Sequence, residues 1–318
     1  MREESLPELE AEQLAEIARL YYEEGLTQSE IGKRYGVSHS TVSRLLREMR
    51  ARGIVEIRIN YPLPRARDLE ETLVARYGLR GARVLISDDL SYAEALRRMG
   101  ILAARALSTL LTNRTVLGIS WGTAVAATVD AISPHDLPGA TVVQMLGGIG
   151  SATPAIDGIE LARRLGERLG CPHHYLPAPL MVPAEVHAAL VLEPGIAAIL
   201  DLARRADLAL VGIGAADPGQ SSLVRGGFLS PTEAQEMTQT GVVGDICGHA
   251  YLLDGTNFAP PSGRKVVGVT LEDLRHIPCV IGVAGGPAKA QAIAGALRGR
   301  YVSYLVTDNR AAEAVLRL

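Results

Sequence analysis

The sequence predicts an α/β protein in two parts, a small helical unit ahead of a larger Rossmann-like domain with a mostly parallel sheet. Three observations point there. Apolar residues between Leu14 and Met49 recur at helical spacing. From Ala82 onward, short continuous Val/Ile/Leu runs alternate with longer amphipathic stretches. Between the two parts, Pro62 and Pro64 interrupt any regular element. A length of 318 residues suits about two domains.

The first helix is marked by Leu14, Ile17, Ala18 and Tyr21, at positions i, i+3, i+4 and i+7. Thr27 and Glu30 then form a capping-box pattern at the start of a second, short helix, which should stop near Tyr35 at Gly36. Ser38 is placed to cap a third helix whose apolar stripe is Val42, Leu45, Leu46 and Met49. "IVEIRIN" (54–60) alternates apolar and polar residues and reads as a strand. Two helices joined by a short turn containing Gly form a helix-turn-helix pattern. Its outward positions are Ser38, His39, Ser40, Thr41, Ser43, Arg44 and Arg47.

Charge supports this reading. The chain as a whole carries −3, yet residues 33–58 carry +5, with Arg44, Arg47, Arg50 and Arg52 close together. Arginine and lysine neutralise phosphates and release counterions, and arginine also pairs with guanine edges through two hydrogen bonds. Double-stranded DNA is therefore the expected partner. The plainer alternative is a three-helix unit whose arginines are solvated surface.

In the larger part, "ARVLIS", "TVLGIS", "ATVVQML", "DLALVGIG", "IPCVIGVAGG" and "YVSYLVTD" suit strands buried on both faces. The intervening helical stretches supply the crossovers. The expected boundaries are a DNA-binding domain over 1–60, a linker with a helix over 61–80, and an effector domain over 81–318. Ligands of such sheets bind beyond the carboxyl ends of the strands, so the loops there hold the candidates. "GISWGTAVAA" places Ser120, Trp121, Gly122 and Thr123 between a strand and a helix, where backbone N–H groups hold anions. "QMLGGIG" places Gln144, Gly147 and Gly148 at the next strand end, and "VVGDICGHAYLLDG" offers Asp245, His249 and Asp254. Lys289, one of only three lysines, follows a Gly pair at a helix start. A cation there opposes the helix dipole, a cost that a bound phosphate would offset. Each motif also has a simpler reading, as a tight turn or a turn-capping carboxylate.

Several classes are disfavoured. Neither GxxxxGK[ST] nor GxGxxG occurs, so nucleoside triphosphates and dinucleotides are not expected and no cofactor is assigned. Cys171, Cys247 and Cys279 are distant and odd in number, which suits a reducing compartment and offers no zinc pattern. His173 and His174 beside Cys171 lack metal-ligand spacing and read as structural. Apolar runs fall short of the ~18 residues of a membrane helix, and "MREESLPELE" shows no secretory pattern. The expected location is the cytoplasm.

In combination, "GLTQSEIGKRYGVSHSTVSRLLREMRARGIVEI", "LGISWGTAVA", "VVQMLGGIG", "LVGIGAAD", "GVVGDICGHAYLLDG" and "VAGGPAKAQAIAGAL", in that order, resemble the SorC family of bacterial transcriptional regulators. The resemblance implies a winged helix-turn-helix joined to an effector domain similar to sugar-phosphate isomerases and deaminases. It also implies a phosphorylated sugar as effector and self-assembly as a dimer or tetramer. The expected function is a ligand-responsive DNA-binding regulator with no catalytic residues and no metal. The alternative is a sugar-phosphate isomerase or deaminase with an appended DNA-binding domain, with Asp245 and His249 as acid/base candidates.

Overall fold

A computed structural model describes residues 11–55, 63–150, 154–259 and 263–318. The chain forms two compact units, Met1–Pro62 and Leu63–Leu318. The first contains helices α1 (Ala11–Tyr22), α2 (Gln28–Tyr35) and α3 (His39–Ala51). Leu14, Ile17, Leu20, Ile31, Val42, Leu45, Leu46 and Met49 form its core. Both expected caps are present: Glu30 N donates to Thr27 Oγ1 at 3.3 Å and Thr27 N to Glu30 Oε2 at 2.8 Å, while Thr41 N donates to Ser38 Oγ at 3.1 Å. Gly36 closes α2 at φ 68°, a left-handed conformation that glycine adopts at little cost. The strand expected over 54–60 lies, beyond Val55, outside the described residues.

The second unit opens with α4 (Arg67–Tyr77), β1 (Gly81–Leu85), α5 (Tyr92–Leu110), β2 (Val116–Ile119), α6 (Thr123–Ala131) and β3 (Thr141–Gln144). It continues through α7 (Gly158–Leu169), β4 (His173–His174), β5 (Met181–Pro183), α8 (Ala184–Leu190), α9 (Pro194–Arg204), β6 (Leu208–Gly212) and β7 (Gly214–Ala215). Next come α10 (Ser222–Arg225), α11 (Pro231–Gln239), β8 (Val242–Ile246), β9 (His249–Leu252), β10 (Asn257–Phe258) and β11 (Arg264–Val266). The chain closes with α12 (Leu271–His276), β12 (Cys279–Val283), α13 (Ala290–Arg298), β13 (Tyr304–Asp308) and α14 (Asn309–Arg317). The region expected as linker packs here from Leu63 onward: Glu70 Oε1 accepts from Arg65 Nε at 2.7 Å and from Val84 N, in β1, at 2.9 Å.

Seven strands form one sheet in the order β1-β13-β12-β6-β2-β3-β4, every pair parallel. Separate apolar clusters cover its two faces, as a doubly covered parallel sheet requires. The chain runs from β2 outward to β3 and β4, then returns to place β6 on the other side of β2. That reversal is the topological switch point, where crossovers leave in opposite directions and open a crevice. An antiparallel sheet, β10-β9-β8-β7, and the pair β11-β5 were not foreseen from the apolar runs. In the first of these, the β8–β9 hairpin turns through Cys247 (φ 52°) and Gly248 (φ 77°), the doubly left-handed geometry of a tight two-residue loop.

Candidate functional site

On the first unit, α3 buries Val42, Leu45, Leu46 and Met49. Its other face leaves Ser38, His39, Ser40 and Arg47 exposed, with Ser43 and Arg44 half-buried. Thr41 departs from the expectation. It is buried, and its Oγ1 lies 2.8 Å from Ser38 Oγ, so its hydroxyl serves the helix start and not an outside partner. Part of the positive charge is also used internally. Arg50 Nε donates to Tyr22 Oη at 3.0 Å, and Arg52 pairs with Glu48 at 3.2 Å.

On the second unit, a cavity of about 180 Å³ lies at the switch point, beyond the carboxyl ends of β2 and β6. Ser120, Trp121, Gly122 and Thr123 form one wall, continued by Ala124. Gly122 sits at φ 117°, a conformation L-residues rarely adopt, and α6 begins behind it without a side-chain cap. The first N–H groups of a helix lack intrahelical partners and carry positive partial charge. Ser120 is buried; Gly212 N donates to its Oγ at 3.3 Å, which ties the β2 end to the β6 end. Trp121 packs in the core and also lines the cavity.

Gly214 and Asp245 face each other across the β7–β8 ladder. A Cβ at Gly214 would collide with the Asp245 carboxylate. Lys289 arrives from the third strand end: it closes a 3₁₀ turn, Pro287–Lys289, and is the N-cap of α13, just ahead of the helix. Its Nζ donates to Ile213 O at 2.8 Å, which leaves two N–H donors for another partner. Burial pushes the Asp245 carboxyl up to about 6, opposed by Lys289 and by a hydrogen bond from Gly248. Burial lowers the Lys289 ammonium, opposed by Asp245. Burial and the Asp245 charge push the Cys247 thiol, also on the wall, well up, so it is not a nucleophile.

Gln144, Gly147 and Gly148 do not reach this cavity. Gln144 is fully buried at the end of β3, its Oε1 accepting from Leu176 N at 2.9 Å. Gly147 N donates to Val267 O and Gly148 N to Ala178 O, both at 2.8 Å, and a Cβ on Gly147 would strike the Pro179 carbonyl. Gly147 thus admits neighbouring backbone, while a Cβ on Gly148 would meet the Ile159 side chain at 3.2 Å. From the same run only Ile149 lines the cavity. Asp254 caps an exposed turn, accepting from Thr256 N at 2.8 Å, and His249 lies on a different cavity.

Sequence reasoning missed Gln220, Ser222 and Arg225, which complete the wall. Arg225 Nη1 donates to Gln220 O at 2.9 Å. The signal was available: the turn-rich "AADPGQSSLVRGG" follows a strand run and carries an arginine.

Comparisons with known proteins match both units. The family described as "Putative sugar-binding domain" matches residues 61–317, and the MarR family matches residues 9–60. The transcriptional regulator LsrR of Klebsiella pneumoniae is 36% identical over 316 residues, covering 97% of this chain and 94% of that protein. The deoxyribonucleoside regulator of Bacillus subtilis is 30% identical, covering 96% of this chain and 98% of that protein. Among solved structures, the full-length sorbitol operon regulator SorC from Klebsiella pneumoniae superposes with a TM-score of 0.75 at 30% identity, covering 97% of this chain and 99% of that chain. With the helix-turn-helix and the switch-point cavity both in place, the chain belongs to the SorC family of transcriptional regulators and is a ligand-responsive DNA-binding protein.

Proposed function

We propose that the effector is a small phosphorylated sugar held in the switch-point cavity, and that its binding changes operator affinity. The observation that carries this reading is one convergence. An uncapped helix start and a half-buried lysine meet a buried carboxylate inside about 180 Å³. That volume is below the ~300–1,000 Å³ of drug-sized ligand sites, so the ligand is small. The start of α6 and Lys289 suit a phosphate, and Asp245 suits sugar hydroxyls. Among the described residues on the wall, Asp245 is the sole carboxylate and no histidine accompanies it. Isomerisation or deamination calls for a second positioned acid or base, so the reading is a binding site without turnover.

The protein acts in the cytoplasm as a homo-oligomer, with α3 in the major groove. Ser38, His39, Ser40, Ser43, Arg44 and Arg47 supply contacts to bases and phosphates. A single helix-turn-helix spans few base pairs, and dimers read half-sites about 34 Å apart or a multiple of that. Gel-shift titration of operator DNA, with and without a sugar phosphate found by thermal-shift screening, tests the reading. Arg47→Ala should weaken operator binding by about 1–3 kcal/mol without loss of fold, since Arg47 is exposed and its truncation opens no cavity. Unchanged titrations for this variant would remove α3 from the groove.

A further inference from the structure

Both phenylalanines of this chain, Phe228 and Phe258, stand on the wall of one cavity, and it is not the one at the switch point. This second cavity has a volume of about 420 Å³, within the ~300–1,000 Å³ of ordinary small-molecule sites. Met181, Leu223 and Met237 extend its apolar wall. A short stretch separates the two cavities. Ser222, Arg225 and Gly226 line the first, while Leu223, Phe228 and Leu229 line the second.

The polar part of the wall carries one sign of charge. Lys265, Arg264 and Arg204 line it with His187 and His249, and no Asp or Glu does so among the described residues. Arg204 is shared with Asp201 at 3.0 Å and Asp273 at 3.6 Å, and Arg264 Nη1 donates to Phe228 O at 3.0 Å. Lys265, another of the three lysines, is exposed on β11. His187 Nε2 lies 3.1 Å from Val266 O. His249 is held neutral by burial, its pKa lowered to about 4, and its Nε2 is buried without a hydrogen-bond partner among the described residues. A buried polar atom left without a partner is uncommon in folded proteins.

We propose that this cavity is a second ligand site. It takes a small amphipathic carboxylate whose aryl or alkyl body packs on Phe228, Phe258 and Met237 while its charge meets Lys265 and Arg264. Apolar area supplies the affinity, and a few placed polar groups fix the orientation, as in ordinary small-molecule sites.

The test uses the full chain labelled with ¹³C at its six methionine methyls. Met181 and Met237 report this cavity, their signals assigned with Met181→Leu and Met237→Leu. Phenylacetate, 4-hydroxyphenylacetate and octanoate are the probes, with phenylacetamide as the uncharged control. At millimolar concentration at least one carboxylate should shift both signals saturably. Phenylacetamide should bind more weakly, and Lys265→Met should weaken the carboxylate about three- to fivefold, the scale of a partly exposed ion pair. Lys265 is exposed and the stretch from Ser222 to Leu229 is left intact, so the variant keeps its fold and its first cavity. The proposal falls if none of the three carboxylates moves these two signals. It also falls if phenylacetamide and Lys265→Met both match the wild-type carboxylate affinity.

Discussion

Strands β2 and β3 lie side by side in register, Ile119 opposite Gln144, and each runs on into glycine-containing sequence. One end opens and the other is sealed. Beyond β2 the chain turns into α6 while β6 enters from the opposite side, and the diverging crossovers leave a crevice. Beyond β3 the next strand, β4, continues in the same direction, and the segment is bridged to Gly268 and Pro179. Similar glycines therefore answer to different demands. Gly122 has open space where a Cβ would point and needs its φ of 117°, whereas Gly147 has none because a carbonyl fills that place.

The largest expected effect comes from challenging the sealed end. Gly147→Ala forces a methyl onto the Pro179 backbone and should destabilise the second unit by about 3 kcal/mol or more. Trp121, the sole tryptophan, sits in that unit's core, so its fluorescence during denaturant unfolding of the full chain reads this unit. Wild-type stability for this variant would mean that the end of β3 is not closed.

A smaller effect is expected at Gln144. Gln144→Met removes the acceptor for Leu176 N, whose burial unpaired costs about 1–3 kcal/mol. It also removes Nε2, which is buried without a partner, so the net loss should be about 1–2 kcal/mol. Effector affinity should not change.

The smallest effect concerns the open end. Asp245 has a folded pKa raised to about 6, so its contribution to stability is greatest at low pH and is lost as pH rises toward and through 6. Asp245→Asn should therefore stabilise the ligand-free protein by about 1 kcal/mol at pH 8, a gain reduced because Lys289 loses its partner. Below about pH 3.8 the gain should vanish, because the wild-type carboxyl is then protonated in the unfolded chain as well as in the folded one. A gain independent of pH would contradict the buried, charged carboxylate.

How much of this was legible in the sequence follows from where the determining interactions lie. The three N-terminal helices were readable because Thr27, Glu30, Gly36 and Ser38 act within a few residues of themselves. The parallel strands were readable because burial on both faces leaves continuous apolar runs such as "CVIGV". Thr41 lies buried against its own cap, an outcome that spacing does not distinguish from a polar residue facing outward in a helix's first turn. Gln144, Gly147 and Gly148 do not line the cavity, and in sequence a glycine needed for a ligand and one needed for close packing look alike. Only the strand order, a long-range property, separates them. The β8–β9 hairpin carries few Val/Ile runs, yet its pairing with β7 is what brings Asp245 to the cavity.

Calorimetric titration of full-length wild type, Lys289→Ala and Gln144→Met with one responsive sugar phosphate tests the central claim, that the effector's phosphate sits at the opening between β2 and β6. Lys289→Ala should lose about 1.5–3 kcal/mol of binding free energy, the worth of a charge-assisted hydrogen bond, while Gln144→Met should bind as wild type does. Equal affinity for wild type and Lys289→Ala, or a loss confined to Gln144→Met, would contradict it.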